Sequence, residues 1–248
     1  MGMAHYTGRM ETISGKIAIV TGGTRGIGRA IAENLLRHGV TVSICGRSQQ
    51  SVDRAVAAMK PLGTVSGYAA DVTQPAQVAH FFEAVEKEFG GLDILVNNAG
   101  EGVFRKVGDM TIEEWHRNID LNLNGVFYCT REALARFGRR GGGFIVNISS
   151  LAAKNAFSGG AGYNASKFGL NGFSEALLLD HRHENVRVCS VMPGSVATEF
   201  GGDAGKRAGD NSWMVAPEDV AEVVTLVLQM PARTMVSRIE MRPSKPKK

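Results

Sequence analysis

The stretch at residues 16–39 constrains the fold of this chain more than any other. It begins with KIAIVT, an apolar run rich in β-branched residues that is typical of a buried strand. A turn with glycines at Gly22, Gly26 and Gly28 follows and opens a segment whose apolar residues recur at helical spacing. Glycine permits a tight turn and the close approach of a ligand, and a helix N-terminus offers free N–H groups to an anion. The stretch therefore predicts a strand, a phosphate-binding turn and a helix; the alternative interpretation is a turn that serves packing alone.

The rest of the chain continues this alternation of strand and helix. Further runs typical of strands lie at 40–45, 64–70, 92–96, 143–149, 186–193 and 235–240. Segments with helical periodicity or helix-starting signals lie at 49–60, 74–89, 111–136, 163–182 and 217–229. Such alternation implies right-handed crossovers and a parallel sheet with helices on both faces. We therefore predict one α/β domain with a Rossmann fold, built on a doubly wound parallel sheet of about seven strands.

The charge of the chain is concentrated at its C-terminal end. The formal net charge is +4 over 248 residues, and the last seven positions hold four basic residues and no acid: Arg242, Lys245, Lys247 and Lys248. The body is therefore near neutral, which argues against a nucleic-acid-binding surface. With 44% hydrophobic residues the chain can bury a sizeable core. We predict an N-terminal extension at 1–12, a dinucleotide-binding catalytic domain at 13–241 and a basic tail at 242–248.

The three cysteines, Cys45, Cys129 and Cys189, are far apart and lie in apolar runs. This placement favours reduced, buried thiols over a disulfide framework. The sequence has no C-x-x-C or C-x-H pattern, no apolar signal-peptide segment at its start, and no uninterrupted apolar run of membrane length. We therefore expect a soluble, cytoplasmic protein without a metal site.

Tyr163 and Lys167 are the strongest candidates for chemistry. They lie four residues apart in a predicted helix, so both side chains share one face. A phenol has an unperturbed pKa of about 10, and a neighbouring ammonium lowers that pKa toward the range useful for acid–base catalysis. Ser150, at the end of the run FIVNIS, can hydrogen-bond an oxygen held against Tyr163. The alternative is a surface helix with an ordinary Tyr and Lys, which a lone Y-x-x-x-K pattern would favour.

The end of the second predicted strand indicates which dinucleotide binds. It reads Cys45-Gly46-Arg47, without the acid that would bind the ribose of NAD and repel a 2′-phosphate. Arg47 and Arg25, on adjacent loops, can donate charge-assisted hydrogen bonds to such a phosphate. We therefore predict NADP(H) over NAD(H); the alternative is two solvated surface arginines. Because no side chain delivers hydride, a redox site built on Tyr and Lys needs a nicotinamide beside it.

Further motifs occur in order along the chain: TGGTRGIG, Asp71-Val72, Asn97-Asn98-Ala99-Gly100, Asn122, Ser150, Tyr163-x-x-x-Lys167 and Pro193-Gly194. With them the chain resembles the short-chain dehydrogenase/reductase family over roughly residues 13–240. Within that family it is similar to the NADPH-dependent 3-oxoacyl-(acyl carrier protein) reductases. It departs from the family pattern at its C-terminal end, which reads RIEMRPSKPKK in place of a Gly-Gly ending.

The resemblance implies a role for each of four residues. Tyr163 would be the general acid in carbonyl reduction and the base in alcohol oxidation. Lys167 would lower the pKa of Tyr163 and hydrogen-bond the nicotinamide ribose, and Ser150 would polarise the substrate oxygen. Asn122 would position a water that links Lys167 to solvent; a structural role in bending its helix is equally open, and both can hold.

The resemblance also implies a set of cofactor contacts. They are Gly22, Thr24, Arg25, Ile27 and Gly28 in the pyrophosphate turn, Asp71 and Val72 at the adenine, Asn98 and Gly100 along the cleft, Pro193, and Val196 and Thr198 at the carboxamide. Arg47, Tyr163 and Lys167 complete this set. For Asp71, a simple turn acid after a strand is the alternative interpretation.

Three segments and one further residue are expected to surround the substrate, namely 102–104, 154–157 and 199–214, with Met192. The last is Gly-rich and suits a mobile lid, in which Lys206 and Arg207 either attract an acyl-carrier phosphate or are solvated. The substrate itself is expected to be a small carbonyl or alcohol compound.

Gly169 and Gly172, in the helix that carries Tyr163, allow close approach of a second helix. The resemblance also implies that the helices of Asn122 and Tyr163 pair with those of a second subunit across a two-fold axis. Together with the two glycines, it predicts a homodimer or homotetramer. Two functional hypotheses remain. One is an NADP(H)-dependent reductase, and the other is a catalytically silent dinucleotide-binding sensor or scaffold.

Overall fold

Seven parallel strands form the centre of the structure, a computed structural model that describes residues 10–200 and 211–246. The strands are β1 (Ile17–Thr21), β2 (Thr41–Gly46), β3 (Val65–Ala69), β4 (Ile94–Asn97), β5 (Gly143–Ile148), β6 (Val186–Pro193) and β7 (Arg238–Met241). The helices are α1 (Gly26–Arg37), α2 (Gln49–Met59), α3 (Pro75–Phe89), α4 (Ile112–Ile119), α5 (Gly125–Arg140), α6 (Ala161–His181) and α7 (Pro217–Leu228).

The order of the strands confirms the predicted fold class. It is β3-β2-β1-β4-β5-β6-β7, with every pair parallel. From β1 the chain first builds outward through β2 and β3, and then returns to the other side of β1 at β4. In open α/β sheets, ligands bind outside the carboxyl ends of the strands at such a switch point. The switch point here lies between Thr21 and Asn97.

Both faces of the sheet are covered, which explains the uninterrupted apolar runs of its inner strands. Side chains from α1, α2 and α7 form one apolar cluster with the sheet, and side chains from α3, α5 and α6 form the other. All five residues of β1 are buried because the strand has a helix layer on each side.

The predicted long helix at 111–136 is interrupted in the structure. It begins as predicted, with a capping box in which Thr111 and Glu114 bond to each other's backbone N–H. A π-helical turn at Asp120–Asn124 then separates α4 from α5. Turns of this kind are rare and occur often at functional sites. The interruption contains Asn122, one of the candidate catalytic residues.

Both ends of the described chain are attached to the domain. The backbone N–H of Glu11 donates to the carbonyl of Gln229 at 2.8 Å, so part of the predicted extension contacts the segment after α7. In the predicted tail, the guanidinium of Arg242 donates to Glu240 at 2.8 Å. The domain boundaries at 12 and 241 stay predictions.

The three cysteines are buried and free, as predicted. Within residues 10–200 and 211–246 there is no group of three or more His, Cys, Asp or Glu side chains arranged to hold a metal ion. Over the same residues no helix has the length and hydrophobicity that a membrane-spanning segment needs.

Candidate active site

The glycine turn between β1 and α1 has a backbone that only glycine suits. Gly22 and Gly26 have φ values of +64° and +55°, in the left-handed region. A Cβ at position 28 would lie 2.3 Å from Nδ2 of Asn98 and 2.5 Å from the carbonyl oxygen of Gly22. No described side chain caps the start of α1, and its first turn contains no acid. These features leave backbone N–H groups for an anion, so the turn fits the pyrophosphate of a dinucleotide.

Asn98 holds this turn in place. Its Nδ2 donates to the carbonyl of Thr21 at 2.9 Å and to that of Gly22 at 3.2 Å. The hydroxyl of Thr21 accepts the backbone N–H groups of Asn98 and Ala99, each at 3.0 Å. Asn98 was predicted to line the cofactor cleft, and its contacts in this structure tie the end of β4 to the glycine turn.

Arg25 and Arg47 lie on adjacent loops, as predicted. A Cβ at Gly46 would be 2.9 Å from Cγ2 of Thr24, so the end of β2 touches the glycine turn. Arg47 is exposed and forms no salt bridge with any residue that the structure describes. Arg25 has a partner that the sequence did not indicate, since its guanidinium donates to the carboxylate of Glu199 at 3.2 Å. Both side chains of this pair are largely exposed.

Asp71 makes the contacts of a turn acid. Its Oδ1 accepts the backbone N–H of Thr73 at 3.0 Å and the Thr73 hydroxyl at 2.8 Å. The adjacent Val72 is buried and touches Gly125 at the start of α5. The alternative interpretation therefore accounts for the hydrogen bonds of Asp71, and its contact with an adenine stays a prediction.

The segment after β6 returns to the glycine turn. Pro193 is the last, buried residue of β6. Val196 pairs with Val215 in an isolated β-bridge, and a Cβ at Gly26 would lie 3.4 Å from Cγ2 of Thr198. Thr198 therefore lies against the start of α1, and the contact of Val196 and Thr198 with a carboxamide stays a prediction.

Tyr163 and Lys167 lie on one face of α6 and are 8% and 5% exposed. Nζ of Lys167 donates to the carbonyl of Ile148, the last residue of β5, at 3.0 Å. The same nitrogen lies 5.8 Å from the centroid of the Tyr163 ring. The four-residue spacing thus brings the phenol and the ammonium together at the carboxyl end of β5.

Asn122 joins this group through the π-helical turn. Its Oδ1 accepts the backbone N–H of Glu101 at 3.0 Å, and its Nδ2 donates to the Glu101 carbonyl at 2.8 Å and to Oγ of Ser166 at 3.0 Å. A Cβ at Gly100 would lie 2.9 Å from Oδ1 of Asn122 and 3.8 Å from Nζ of Lys167. Gly100, Asn122 and Lys167 therefore meet at one point, which is consistent with both roles considered for Asn122.

The pKa values differ from the sequence expectation. Burial raises the pKa of Tyr163 above its usual value, and a hydrogen bond with the Ser150 hydroxyl opposes this change. Burial also lowers the pKa of Lys167 to about 8. The pKa of Tyr163 is therefore raised and not lowered as expected, because removal from water is the largest cause of its shift. Near neutral pH the phenol carries its proton.

Ser150 follows β5 and caps a short 3₁₀ turn at 151–153. Its hydroxyl accepts the backbone N–H of Ala152 at 3.1 Å, and the residue is half-buried. The Ser150 oxygen is therefore fixed beside Tyr163, with which its hydroxyl also forms a hydrogen bond.

Two buried asparagines that the sequence analysis did not single out position the loops around this site. Oδ1 of Asn118 accepts the backbone N–H of Val103 at 3.1 Å, and its Nδ2 donates to the Val103 carbonyl at 3.2 Å. Nδ2 of Asn164 donates to the carbonyl of Ala152 at 2.6 Å, and its Oδ1 accepts the N–H of Phe157 at 3.4 Å. Asparagine is a weak helix former, so an asparagine on the apolar face of a predicted helix is the sequence signal that could have identified both residues.

A cleft of about 490 Å³ is lined in part by the end of the predicted substrate segment at 199–214. Residues 212–215, Asp219 and residues 242–245 line it, and among its described lining are none of the four candidate catalytic residues. Most of the predicted lid, with Lys206 and Arg207, lies outside the described residues.

Comparison with known proteins identifies the family to which the chain belongs. Residues 16–208 match the sequence profile of the short chain dehydrogenase family. A 3α-hydroxysteroid dehydrogenase of Mediterraneibacter gnavus is 38% identical over 191 residues, which is 76% of each chain.

Solved structures agree with this result. An alcohol dehydrogenase from Thermococcus sibiricus, in complex with 5-hydroxy-NADP, is 28% identical with a TM-score of 0.86, over 94% of this chain and 99% of that one. A 7α-hydroxysteroid dehydrogenase in complex with NADH and 7-oxo glycochenodeoxycholic acid is 27% identical with a TM-score of 0.83, over 93% of both chains. The chain therefore belongs to the short-chain dehydrogenase/reductase family, and is an oxidoreductase that uses a nicotinamide cofactor on a CH–OH or C=O group.

Proposed function

We propose that this protein is an NADP(H)-dependent reductase that converts a ketone, such as a 3-oxoacyl thioester, to a secondary alcohol. The observation that carries the proposal is the meeting of Tyr163, Lys167 and Ser150 at the carboxyl end of β5, next to the switch point of the sheet. A catalytically silent sensor would have no need for a protonated phenol, a buried ammonium and a hydroxyl at one point.

When bound, NADPH supplies the hydride. Tyr163 would then donate its phenolic proton, which is present near neutral pH, to the substrate oxygen. Ser150 donates a hydrogen bond to the same oxygen and polarises it. Lys167 would hold the nicotinamide ribose of the bound cofactor, and Asn122 would position a water beside Lys167 through which the proton of Tyr163 is replaced.

The preference for NADP(H) is supported by charge. Arg25 and Arg47 lie on the two loops that border the crevice beside β2, and α1 begins without an acid in its first turn. A 2′-phosphate would meet two guanidinium groups there. Among the similar structures, one contains 5-hydroxy-NADP and another NADH, so the family accommodates both kinds of dinucleotide.

The experiment is a panel of carbonyl compounds, including a 3-oxoacyl thioester and simple ketones, followed by the loss of NADPH absorbance. Tyr163→Phe removes only the phenolic hydroxyl, and we expect its kcat to fall about a thousandfold with NADPH binding retained. Absence of turnover with every carbonyl, in a protein that binds NADPH, would favour the silent sensor. Full activity in Tyr163→Phe would reject Tyr163 as the acid.

We also propose that α6 pairs with a second copy of the chain. Ala165, Phe168, Gly172, Ala176 and Leu179 are exposed and follow each other at three- and four-residue intervals, so they form an apolar stripe along α6. Gly172 has open space around it, which leaves room for a partner helix, whereas Gly169 packs against Leu123 of the same chain. Light scattering should show a dimer or tetramer. Leu179→Glu should yield monomers, whereas Leu179→Ala should not, and a monomeric wild type would contradict the proposal.

A cytoplasmic location completes the proposal. It is supported by the three free, buried thiols, which suit a reducing compartment. Cell fractionation would test it.

A further inference from the structure

Two phenylalanine rings contact the ring of Tyr163, and a third contacts one of these two; we call Phe104, Phe157 and Phe200 the ring wall. The Phe104 ring lies 5.5 Å from the Tyr163 ring in an edge-to-face arrangement, and the Phe200 ring lies 5.7 Å from it. Phe157 extends the wall, with its ring 5.7 Å from that of Phe104. The rings come from three loops that are far apart in the sequence, yet they converge on one candidate catalytic group.

The outer rings of this wall are open to solvent. Phe157 is 46% exposed and Phe200 is 41% exposed, although the Phe200 ring packs against the buried Tyr163 and the Phe157 ring packs against Phe104. Exposing aromatic surface to water costs free energy, and an apolar ligand that covers this surface removes that cost. The part of a substrate next to its carbonyl is therefore expected to be apolar.

The wall is also preformed. Gly102 has no side chain where Phe104 and Phe200 approach each other, since a Cβ there would lie 2.5 Å from Cζ of Phe104 and 3.0 Å from Cε1 of Phe200. Asn118 fixes the loop before Phe104, and Asn164 fixes the backbone of Phe157. A rigid wall of this kind favours a rigid ligand, because neither partner loses much conformational freedom on binding.

We propose that the ring wall selects apolar cyclic ketones over open-chain ketones of equal carbon number. Fused alicyclic rings offer flat, rigid apolar faces to the aromatic rings, whereas an open chain has to lose the freedom of many rotatable bonds. This inference rests on the proposed carbonyl reduction and narrows its substrate class, since it ranks apolar cyclic ketones above open-chain ones such as a 3-oxoacyl thioester. It makes Phe157 and Phe200 specificity-determining residues.

The test compares 2-decalone with 2-decanone, two apolar ketones with ten carbon atoms each. We expect the kcat/KM of the wild type with NADPH to favour 2-decalone by about tenfold or more. Phe157→Leu and Phe200→Leu should each lower this ratio by about three- to tenfold, since each removes one aromatic contact. Phe127→Leu is the matched control, because Phe127 is 45% exposed but lies on α5, and its ratio should not change.

A binding measurement separates this inference from the proposed function. Calorimetry with Tyr163→Phe and saturating NADP⁺ measures the affinity for each ketone without turnover. Tighter binding of 2-decalone, weakened by Phe157→Leu, would support the ring wall even where the wild type reduces neither ketone. Equal or tighter binding of 2-decanone would overturn it, even where the wild type reduces both.

Discussion

The two sides of the crevice are built in opposite ways. On the nucleotide side, the glycine turn after β1 is shaped by missing side chains, and the amide of Asn98 at the end of β4 ties it in place. On the catalytic side, buried polar side chains from α4, α6 and the π-helical turn hold the loops in place. The first side depends mainly on glycine positions where a side chain would clash, and the second on a network of buried side-chain hydrogen bonds. Substitutions should therefore damage the two sides in different ways.

The largest effect is expected from adding one methyl group on the nucleotide side. Gly28→Ala would place a Cβ 2.3 Å from Asn98 and 2.5 Å from the Gly22 carbonyl, so the turn has to deform. We expect NADPH affinity, measured by calorimetry, to fall at least about a hundredfold. Gly138→Ala, in α5 with nothing within 4 Å, is the control and should stabilise the protein by about 0.5–1 kcal/mol. Unchanged affinity in Gly28→Ala would show that the turn does not depend on its glycine.

On the catalytic side, Asn118→Leu should destabilise the fold by about 2–3 kcal/mol in urea unfolding. The substitution leaves the backbone N–H and carbonyl of Val103 without their buried partner. Asn155→Ala is the control, because Asn155 is exposed and its loss should cost less than about 0.5 kcal/mol. Equal stability of the two variants would mean that the amide of Asn118 is not what holds this loop.

Lys167 gives the catalytic side a distinctive pH dependence. Below pH 8 the ammonium is charged in both the folded and the unfolded chain, and its burial costs stability. Between the folded pKa of about 8 and the unfolded value of 10.5, the unfolded chain binds more protons, so stability rises with pH. The stability of the cofactor-free wild type relative to Lys167→Met should therefore rise by about 2 kcal/mol from about pH 7 to about pH 9.5. A flat difference in urea unfolding across this range would show that Lys167 is not desolvated.

The smallest effect concerns charge at the rim of the nucleotide side. Arg47→Asp should shift the ratio of kcat/KM for NADPH and NADH about tenfold toward NADH, since it replaces a phosphate donor with an acid. Arg54→Asp makes the same change of charge at an exposed position on α2 and should leave the ratio unchanged. Equal ratios in the wild type and Arg47→Asp would leave Arg25 as the remaining candidate for 2′-phosphate binding.

The sequence predicted the sheet and most of the helices well, because covered strands and amphipathic helices have strong periodic signals. It missed the interruption between α4 and α5, where Thr111 starts a pattern that reads as one continuous helix. The side chain of Asn122 bonds to the loop at Glu101 there, and the sequence does not show which distant backbone an asparagine will meet.

For the candidate site, the spacing of residues along the sequence predicted which side chains lie together, but the sequence did not show how deeply they are buried. The interval between Tyr163 and Lys167 correctly placed both on one face of α6. The direction of the Tyr163 pKa shift was wrong, because the degree of burial depends on Phe104, Phe200 and other tertiary neighbours. The pairing of Arg25 with Glu199 likewise joins residues that only the fold brings together.

The π-helical turn at Asp120–Asn124 holds one residue more than an ordinary helical path between α4 and α5 would need, since its hydrogen bonds span five residues instead of four. Deleting a single residue there would leave both flanking helices in phase with the sheet. What would be lost is the position of Asn122 opposite Gly100. The extra residue thus sets where the amide of Asn122 meets the loop at Gly100 and Glu101.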